Sequence, residues 1–279
     1  MAVLNILAFR HPAAILSMAV HPVLVVPAMK HPICCVVAAI ASTVLVCSAR
    51  AQESCKLTDM GTAAIAAVRD GRTLLLLDGR EIRLAAIEIT DDSASVLQSI
   101  VGTREVRIKR LGPGPDRYGR LVAFVYVDDS PQSVQQLLLA QGQARVSARI
   151  GDKGCADIML DTERTARLAR RGLWADPNFA PLRSENIPRI EAARGQFALV
   201  EGKVLSVRES GPTLYLNFGR RWTRDFTITI AKRHRREFAD SGIDPKRLEG
   251  HLVRVRGWIE QRSGLVIEAA TPEQLELVR

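Results

Sequence analysis

Histidine and cysteine are scarce in this sequence, and both shortages limit the kinds of site that it can build. Five histidines and five cysteines occur among 279 residues, and three of each lie within the first 50. The sequence also contains no paired CxxC, no GxxxxGK[ST] and no GxSxG. These absences argue against a metal site built from histidines and against the phosphate-binding and nucleophile loops that the motifs specify.

Acidic residues are missing from the first 51 positions, which also hold few basic ones. The charged residues of this stretch are Arg10, Lys30 and Arg50. From Met29 onwards a basic start is followed by the apolar run at 33–46 and by a small-residue end at Ala51. This order predicts a secretory signal peptide over residues 1–51, cleaved after Ala51, with Met29 suited to be the true start.

Two other interpretations of the leader are weaker. A membrane anchor needs about 20 apolar residues, and the run at 33–46 is shorter than that. Lipidation at Cys47 is disfavoured because the bulky Val46 precedes it where a small residue is expected. The sequence therefore predicts a periplasmic or secreted protein with no membrane span after cleavage.

Export changes the charge and the expected chemistry of the cysteines. Removing the three basic leader residues from 39 leaves 36 Lys and Arg against 30 Asp and Glu, a charge of +6. Cys55 and Cys155 are the cysteines that remain, and in an oxidising compartment they favour one disulfide over two buried thiols.

The pattern over residues 52–176 predicts a small β-barrel with helices. Strands are expected at 62–68, 73–78, 81–87, 105–109 and 121–127, and helices at 93–101, 133–141 and 157–171. Five strands with helices between and after them are typical of a Greek-key barrel of the OB type.

Three prolines between 177 and 188 predict a linker over residues 177–190, and the rest of the chain is again β-rich. Strands are expected at 197–207, 213–218, 226–230, 251–261 and 265–269, with a helix at 232–240. The predicted fold class is therefore mainly β with helices (α+β), with a second small OB-like barrel at residues 191–279.

Five short segments of residues 60–175 follow one another in a recognisable order. They are Asp70-Gly71-Arg72-Thr73, Arg83-Leu with Glu88-Ile89-Thr90-Asp91, Asp116-Arg117-Tyr118-Gly119-Arg120, the leucine-rich 137–146, and Arg170-Arg171-Gly172-Leu173-Trp174. Together they resemble the thermonuclease (staphylococcal-nuclease-like) family, and the second β-rich part lies outside this resemblance.

The resemblance implies a calcium-dependent phosphodiesterase that acts on DNA and RNA. It places Arg83 and Arg120 as the clamp on the scissile phosphate, a role that suits the paired N–H donors of arginine. Glu88 falls at a metal-ligand position and Asp91 at the acid that activates water. The bland alternative is that Glu88 is a strand-end charge and that Asp91, or its neighbour, caps the following helix.

This sequence departs from the family at the metal. Arg72 stands where the family has a calcium-binding aspartate, Glu88 is one methylene longer than the usual residue, and Asp91 is one shorter. Because calcium prefers about 6–8 oxygen ligands, we expect its site to be altered or lost. A further hypothesis is that the Arg72 guanidinium replaces part of the metal charge.

Candidate nucleic-acid-binding residues lie in both parts of the chain. Arg72 and Tyr118 belong to the first. The second has two dense basic runs, from which the candidates are Arg221, Trp222, Arg224, Arg235 and Arg236. Arginines beside an aromatic residue suit single-stranded nucleic acid. The alternative is a solvated face, since residues 185–279 hold 17 basic against 13 acidic side chains.

The sequence as a whole predicts an exported nuclease-like protein that hydrolyses phosphodiester bonds of DNA or RNA. The alternative is a catalytically degenerate module of the cell envelope that binds nucleic acid or a protein partner. A structural envelope protein without nucleic-acid affinity is the third possibility.

Overall fold

The computed structural model describes residues 55–89 and 93–278, all within one compact unit of the chain. The predicted signal peptide, with Met29 and Ala51, lies outside the described residues. Within the described ranges, none of the helices has both the length and the apolar character needed to cross a membrane.

The first part of the chain contains seven strands and three helices. The strands are β1 (Thr58–Asp70), β2 (Thr73–Leu76), β3 (Glu81–Leu84), β4 (Ile87–Ile89), β5 (Glu105–Arg110), β6 (Leu121–Val127) and β7 (Ala144–Val146). The helices are α1 (Ser93–Val101), α2 (Val134–Ala140) and α3 (Lys153–Leu168). Five of the strands close into a barrel in the order β1-β2-β3-β6-β5, which confirms the predicted fold of this part.

The barrel closes around alternating apolar residues. Leu74, Leu76, Ile82 and Leu84 are almost completely buried, whereas Arg83, between the last two, is only partly buried. Strand β3 pairs antiparallel with β2 and parallel with β6, so Arg83 lies between Thr73 and Val122 in the sheet. The period-2 pattern thus fills the interior and leaves Arg83 on the outer side.

Two glycines explain how α2 and the end of α3 come together. Gly142 and Gly172 have φ angles of 69° and 51°, a region that side-chain-bearing residues rarely adopt. A Cβ on Gly142 would lie 2.1 Å from the carbonyl oxygen of Arg171. The Leu173 amide also donates to the Gly142 carbonyl oxygen at 2.9 Å, so this junction depends on both glycines.

Helix α3 is displaced from its predicted range of 157–171. It begins at Lys153, where the Asp152 side chain accepts a hydrogen bond from the Cys155 amide, and it ends at Leu168. The positive φ of Arg170 ends the helical path. Cys155 therefore lies in the first turn of α3, and it forms a disulfide with Cys55.

The second part contains nine strands and two helices. The strands are β8 (Leu182–Arg183), β9 (Phe197–Lys203), β10 (Ser206–Ser210), β11 (Thr213–Asn217), β12 (Phe226–Ala231), β13 (Leu252–Trp258), β14 (Glu260–Gln261), β15 (Leu265–Glu268) and β16 (Leu275–Leu277). The helices are α4 (Ile187–Ala192) and α5 (Arg235–Asp240). Strand β8 and the start of α4 fall inside the predicted linker, and β8 pairs with β9.

The strands of this second part lie in two sheets, whereas the sequence predicts a second small barrel. One sheet has the order β10-β11-β12-β15-β14 and the other β16-β13-β9-β8. The single strands expected at 197–207 and 251–261 each divide, because the chain changes sheet after Lys203 and at Ile259. The β-rich composition was predicted, and these two crossings place its strands in separate sheets.

Candidate functional site

The candidate site is formed by charged side chains on the outside of the barrel, with Arg83 among them. Arg83 is held by β3, and its side chain makes no hydrogen bond or ion pair with any described residue. Burial lowers the pKa of Arg83, the positive charges of Arg72 and Arg120 lower it further, and Glu88 and Asp116 oppose them. These five charged groups therefore share one electrostatic environment.

Arg72 and Glu88 form an ion pair at this site. The Arg72 Nη1 donates to Glu88 Oε2 at 2.7 Å, and both side chains are largely shielded from solvent. Arg72 is fixed by its backbone, since its amide donates to the Asp70 carboxylate and its carbonyl oxygen accepts from the Leu84 amide. Glu88 is fixed on β4 opposite Arg145 of β7.

Arg120 is held by the loop before β6. The Asp116 carboxylate accepts hydrogen bonds from the amides of Tyr118 and Arg120 and from Nε and Nη2 of Arg120 at 2.9 and 2.8 Å. Loss of hydration alone would raise the pKa of Asp116, but the hydrogen bonds from Arg120 and Tyr118 lower it overall. The loop thus presents the Arg120 guanidinium in a fixed position.

Tyr118 lies at the exposed edge of the same loop. Its ring is 66% exposed, and the guanidinium carbons of Arg117 and Arg120 lie 4.7 and 5.1 Å from the ring centroid. An exposed aromatic ring beside two cations combines a flat surface with positive charge, which is an arrangement that suits a nucleotide base next to its phosphate.

The candidate residues of the first part are thus brought together, with one exception. Arg72, Arg83, Glu88, Tyr118 and Arg120 belong to neighbouring elements, whereas Asp91 lies outside the described residues. Sequence reasoning missed Asp116, the partner of Arg120, although its spacing of four residues from Arg120 was a signal. It also missed Arg145, which pairs with Glu88 between β7 and β4, because only the tertiary structure brings these two strands together.

One group of metal-binding donors lies close together in the described part of the chain. The group of His, Cys, Asp or Glu donors close enough to share a metal there is Cys55, Asp152 and Cys155. Both of its sulfur atoms belong to the disulfide, so this group is structural.

The candidates of the second part are more dispersed. Trp222 is 61% exposed and lines a groove on the five-stranded sheet, and Arg221 and Arg224 belong to the same loop. The Arg235 side chain pairs with Glu209 at 2.8 Å, and Arg236 is paired with Asp240 at the surface. The structure therefore places Trp222 in a concave site and leaves Arg235 and Arg236 on α5.

Comparison with known proteins finds a family match that includes part of the candidate site. Residues 80–176 match the family described as staphylococcal nuclease homologue. None of the curated proteins matches the chain significantly. The matched range holds Arg83, Glu88, Asp116 and Arg120, and it extends from β3 to the end of the Gly-Leu-Trp segment. The match to residues 80–176 is therefore consistent with a thermonuclease-like domain in the barrel part of this chain.

Proposed function

We propose that the protein is an exported nuclease that hydrolyses phosphodiester bonds of DNA or RNA at the barrel site. The observation that carries this proposal is the Arg83 guanidinium. It has no partner among the described residues and lies in the field of two further arginines, Arg72 and Arg120. Glu88 and Asp116 engage Arg72 and Arg120, so the Arg83 guanidinium is the group of this cluster that an anionic phosphate can pair with.

The chemistry assigned to these residues is attack by water. The water oxygen bonds to phosphorus and gives up one proton to solvent, the bond from phosphorus to one ester oxygen breaks, and that oxygen takes up a proton from solvent. Arg83 and Arg120 donate hydrogen bonds to the phosphate oxygens as negative charge develops. Glu88, whose Oε1 has no hydrogen-bond partner among the described residues, and Asp91 are the candidates that orient the water.

We also infer that this site works without a resident calcium ion. The donor set fits calcium poorly, because the Glu88 carboxylate already accepts a hydrogen bond from the Arg72 guanidinium. Calcium requires several oxygen ligands, and a guanidinium at bonding distance from one of them would repel it. The positive charge of Arg72 is the substitute that we propose.

Export is part of the same proposal. It is supported by the leader pattern at residues 1–51 and by the Cys55–Cys155 disulfide, which is a bond that persists in oxidising compartments.

The second candidate function is a catalytically degenerate module that binds nucleic acid or a protein. It is favoured by the ion pairs of Arg72 with Glu88 and of Arg120 with Asp116, which engage groups that turnover would need. Both functions use the same positive site, so they differ in turnover rather than in location.

Hydrolysis of single-stranded DNA and RNA by residues 52–279 tests the proposal. We expect cleavage that falls by at least about 10²-fold in Arg83→Ala/Arg120→Ala, because removing one such donor typically costs about 10²–10³ in kcat. Arg104→Ala/Arg107→Ala is the matched control, since these two barrel arginines pair with Asp128 and Asp129. It should retain activity.

Each other outcome has a distinct meaning. Absence of cleavage together with salt-dependent nucleic-acid binding would replace the nuclease with the binding module. Absence of both cleavage and binding at every salt concentration would leave the structural envelope protein.

A further inference from the structure

The five-stranded sheet has one apolar and one polar face. The side chains of β11 and β12 that are buried in the core are Leu214, Leu216, Phe226, Ile228 and Ile230. The side chains that alternate with them, together with those paired on β10, are Ser206, Arg208, Ser210, Thr213, Tyr215, Asn217, Thr227 and Thr229. This second set forms a continuous polar floor of hydroxyl, amide, aromatic and guanidinium groups.

Two walls convert this floor into a groove. One is the loop with Arg220 and Trp222, and the other is the β14–β15 turn with Arg262 and Gly264. The walls approach closely, since a Cβ on Gly264 would lie 2.4 Å from the Trp222 carbonyl oxygen. The floor and walls enclose about 870 Å³, and we call this space the sheet groove.

The charge of the sheet groove has one sign. Arg208, Arg220 and Arg262 line it, and none of the described residues that line it is acidic. Arg262 is paired with Glu260 and Glu268 outside the lining. The Arg208 and Arg220 side chains make no hydrogen bond or ion pair with the described residues. Two unpaired guanidiniums thus border a concave surface, which is the arrangement that binds phosphate groups.

The floor also contains a buried hydroxyl without a partner. Thr227 and Asn217 bond each other, and Asn217 also bonds Ser206. The adjacent Thr229 is only 4% exposed, and its Oγ1 has no hydrogen-bond partner. Leaving such a buried group unsatisfied is unfavourable, so this hydroxyl points to a ligand that supplies the missing bond.

We propose that the sheet groove binds single-stranded nucleic acid, with a base stacked on Trp222 and phosphates bound by Arg208 and Arg220. An exposed indole stacks on any base, and unpaired arginines neutralise the backbone. A neutral oligosaccharide would use the aromatic and hydroxyl groups but would leave both arginines unpaired. This binding is separate from cleavage in the barrel and does not rest on it.

Binding is measured in a chain in which the barrel is already disabled. Arg83→Ala/Arg120→Ala in residues 52–279 removes the proposed phosphate clamp, and fluorescence anisotropy follows a labelled oligo(dT) of about 12 nucleotides. In this background Trp222→Ala should weaken binding by about 5- to 150-fold. Arg208→Gln/Arg220→Gln should also weaken it and should reduce the slope of log affinity against log salt by about 1.4.

The matched control removes the same charge elsewhere. Arg194→Gln/Arg247→Gln changes two exposed arginines outside the sheet groove and should leave affinity nearly unchanged. Equal weakening in this control, or unchanged binding in both groove variants with melting temperatures preserved, overturns the proposal. Binding of neutral maltohexaose that is lost in Trp222→Ala, without binding of oligo(dT), overturns it in favour of an oligosaccharide.

Discussion

At the scale of single residues, the Arg72–Glu88 ion pair determines how the barrel site differs from a calcium site. The Arg72 guanidinium and the Glu88 carboxylate, 2.7 Å apart, occupy the two positions at which the family resemblance implies metal ligands. The pair keeps Glu88 oriented while adding positive charge next to Arg83. In the proposed mechanism, Arg72 therefore positions Glu88 and supplies positive charge for a bound phosphate.

Replacing Arg72 tests this dual role. Arg72→Ala should lower nuclease activity by about 10²-fold or more, since it removes a preorganised cation. Cleavage by the parent should be unaffected by EDTA. Arg69→Ala, on the same hairpin but largely exposed and 3.7 Å from Glu81, should retain activity. Cleavage assays with calcium and with EDTA measure both effects.

Two results would contradict this expectation. Loss of parent activity in EDTA would establish a metal at the site. Calcium-stimulated activity in Arg72→Ala would indicate that Arg72 blocks a site that the remaining acids can still form.

The sequence allowed some of these residue contacts to be foreseen and concealed others. Arg120 and Asp116 lie four residues apart in a turn, so their pairing is local. The pairing of Arg72 with Glu88 depends on the path of β3 and β4 between them, and period-2 patterning does not specify which side chains meet at a strand end. Motif order identified Arg83, but its lack of a partner required the surrounding structure.

At the scale of elements, long periodic strands were predicted and short ones were missed. The five barrel strands were foreseen near their observed positions because they alternate apolar and polar residues. Strands β4, β7, β8 and β16 contain only two or three residues, which is too short for a period to be recognised. Their formation depends on neighbours that are distant in sequence, such as Glu88 opposite Arg145.

The disulfide joins the segment before β1 to the first turn of α3 across 100 residues of chain. Cys55→Ser/Cys155→Ser should lower stability by about 2–5 kcal/mol, because closing a long loop restricts the unfolded chain. Each kcal/mol corresponds to about 2–4 °C in Tm for a chain of this size. Thermal melts measure the change.

The exported parent supplies the control for this element. Its mass should correspond to a chain that starts at Gln52 and lacks the two thiol hydrogens. Dithiothreitol should lower its Tm to that of the double serine variant and leave the variant unchanged. The exported parent is also unfolded without reduction and treated with a reagent for free thiols, and labelling would refute the disulfide. A leader retained on the exported protein would refute cleavage after Ala51.

At the scale of the whole molecule, a buried charge network connects the barrel part with the second part. Arg256 on β13 is fully buried and donates to both carboxylate oxygens of Glu163 on α3 at 3.0 Å. It also donates to Glu276 on β16, which Arg254 contacts at 3.2 Å. Arg256 and Glu163 are 93 residues apart, so neither periodicity nor local spacing could have revealed the network.

Breaking this network should destabilise the whole compact unit. Arg256→Met leaves Glu163 and Glu276 buried without their main partner, and the loss of one member of a buried pair costs about 3–5 kcal/mol. Arg233→Met is the matched control, because Arg233 is exposed and its ion pair with Glu268 has a distance of 3.8 Å. An exposed pair of this kind contributes about 1 kcal/mol or less. Urea unfolding of both variants measures the two costs.

Acid provides a second measurement of the same network. Burial by itself would raise the pKa of Glu276, but Arg256, Arg167 and Arg254 lower it overall. A carboxylate whose pKa is depressed by folding stabilises the protein above its unfolded pKa, and that stability is lost as the pH falls towards the folded value. The free energy of unfolding should therefore be measured for the parent and for Glu276→Gln at neutral pH and again below the pH at which glutamate ordinarily titrates. The decrease between these two pH values should be larger for the parent. Parallel acid dependence in the two proteins would show that Glu276 is not stabilised in its charged form, and the contact between the two parts would then depend on Arg256 and Glu163 without a contribution from Glu276.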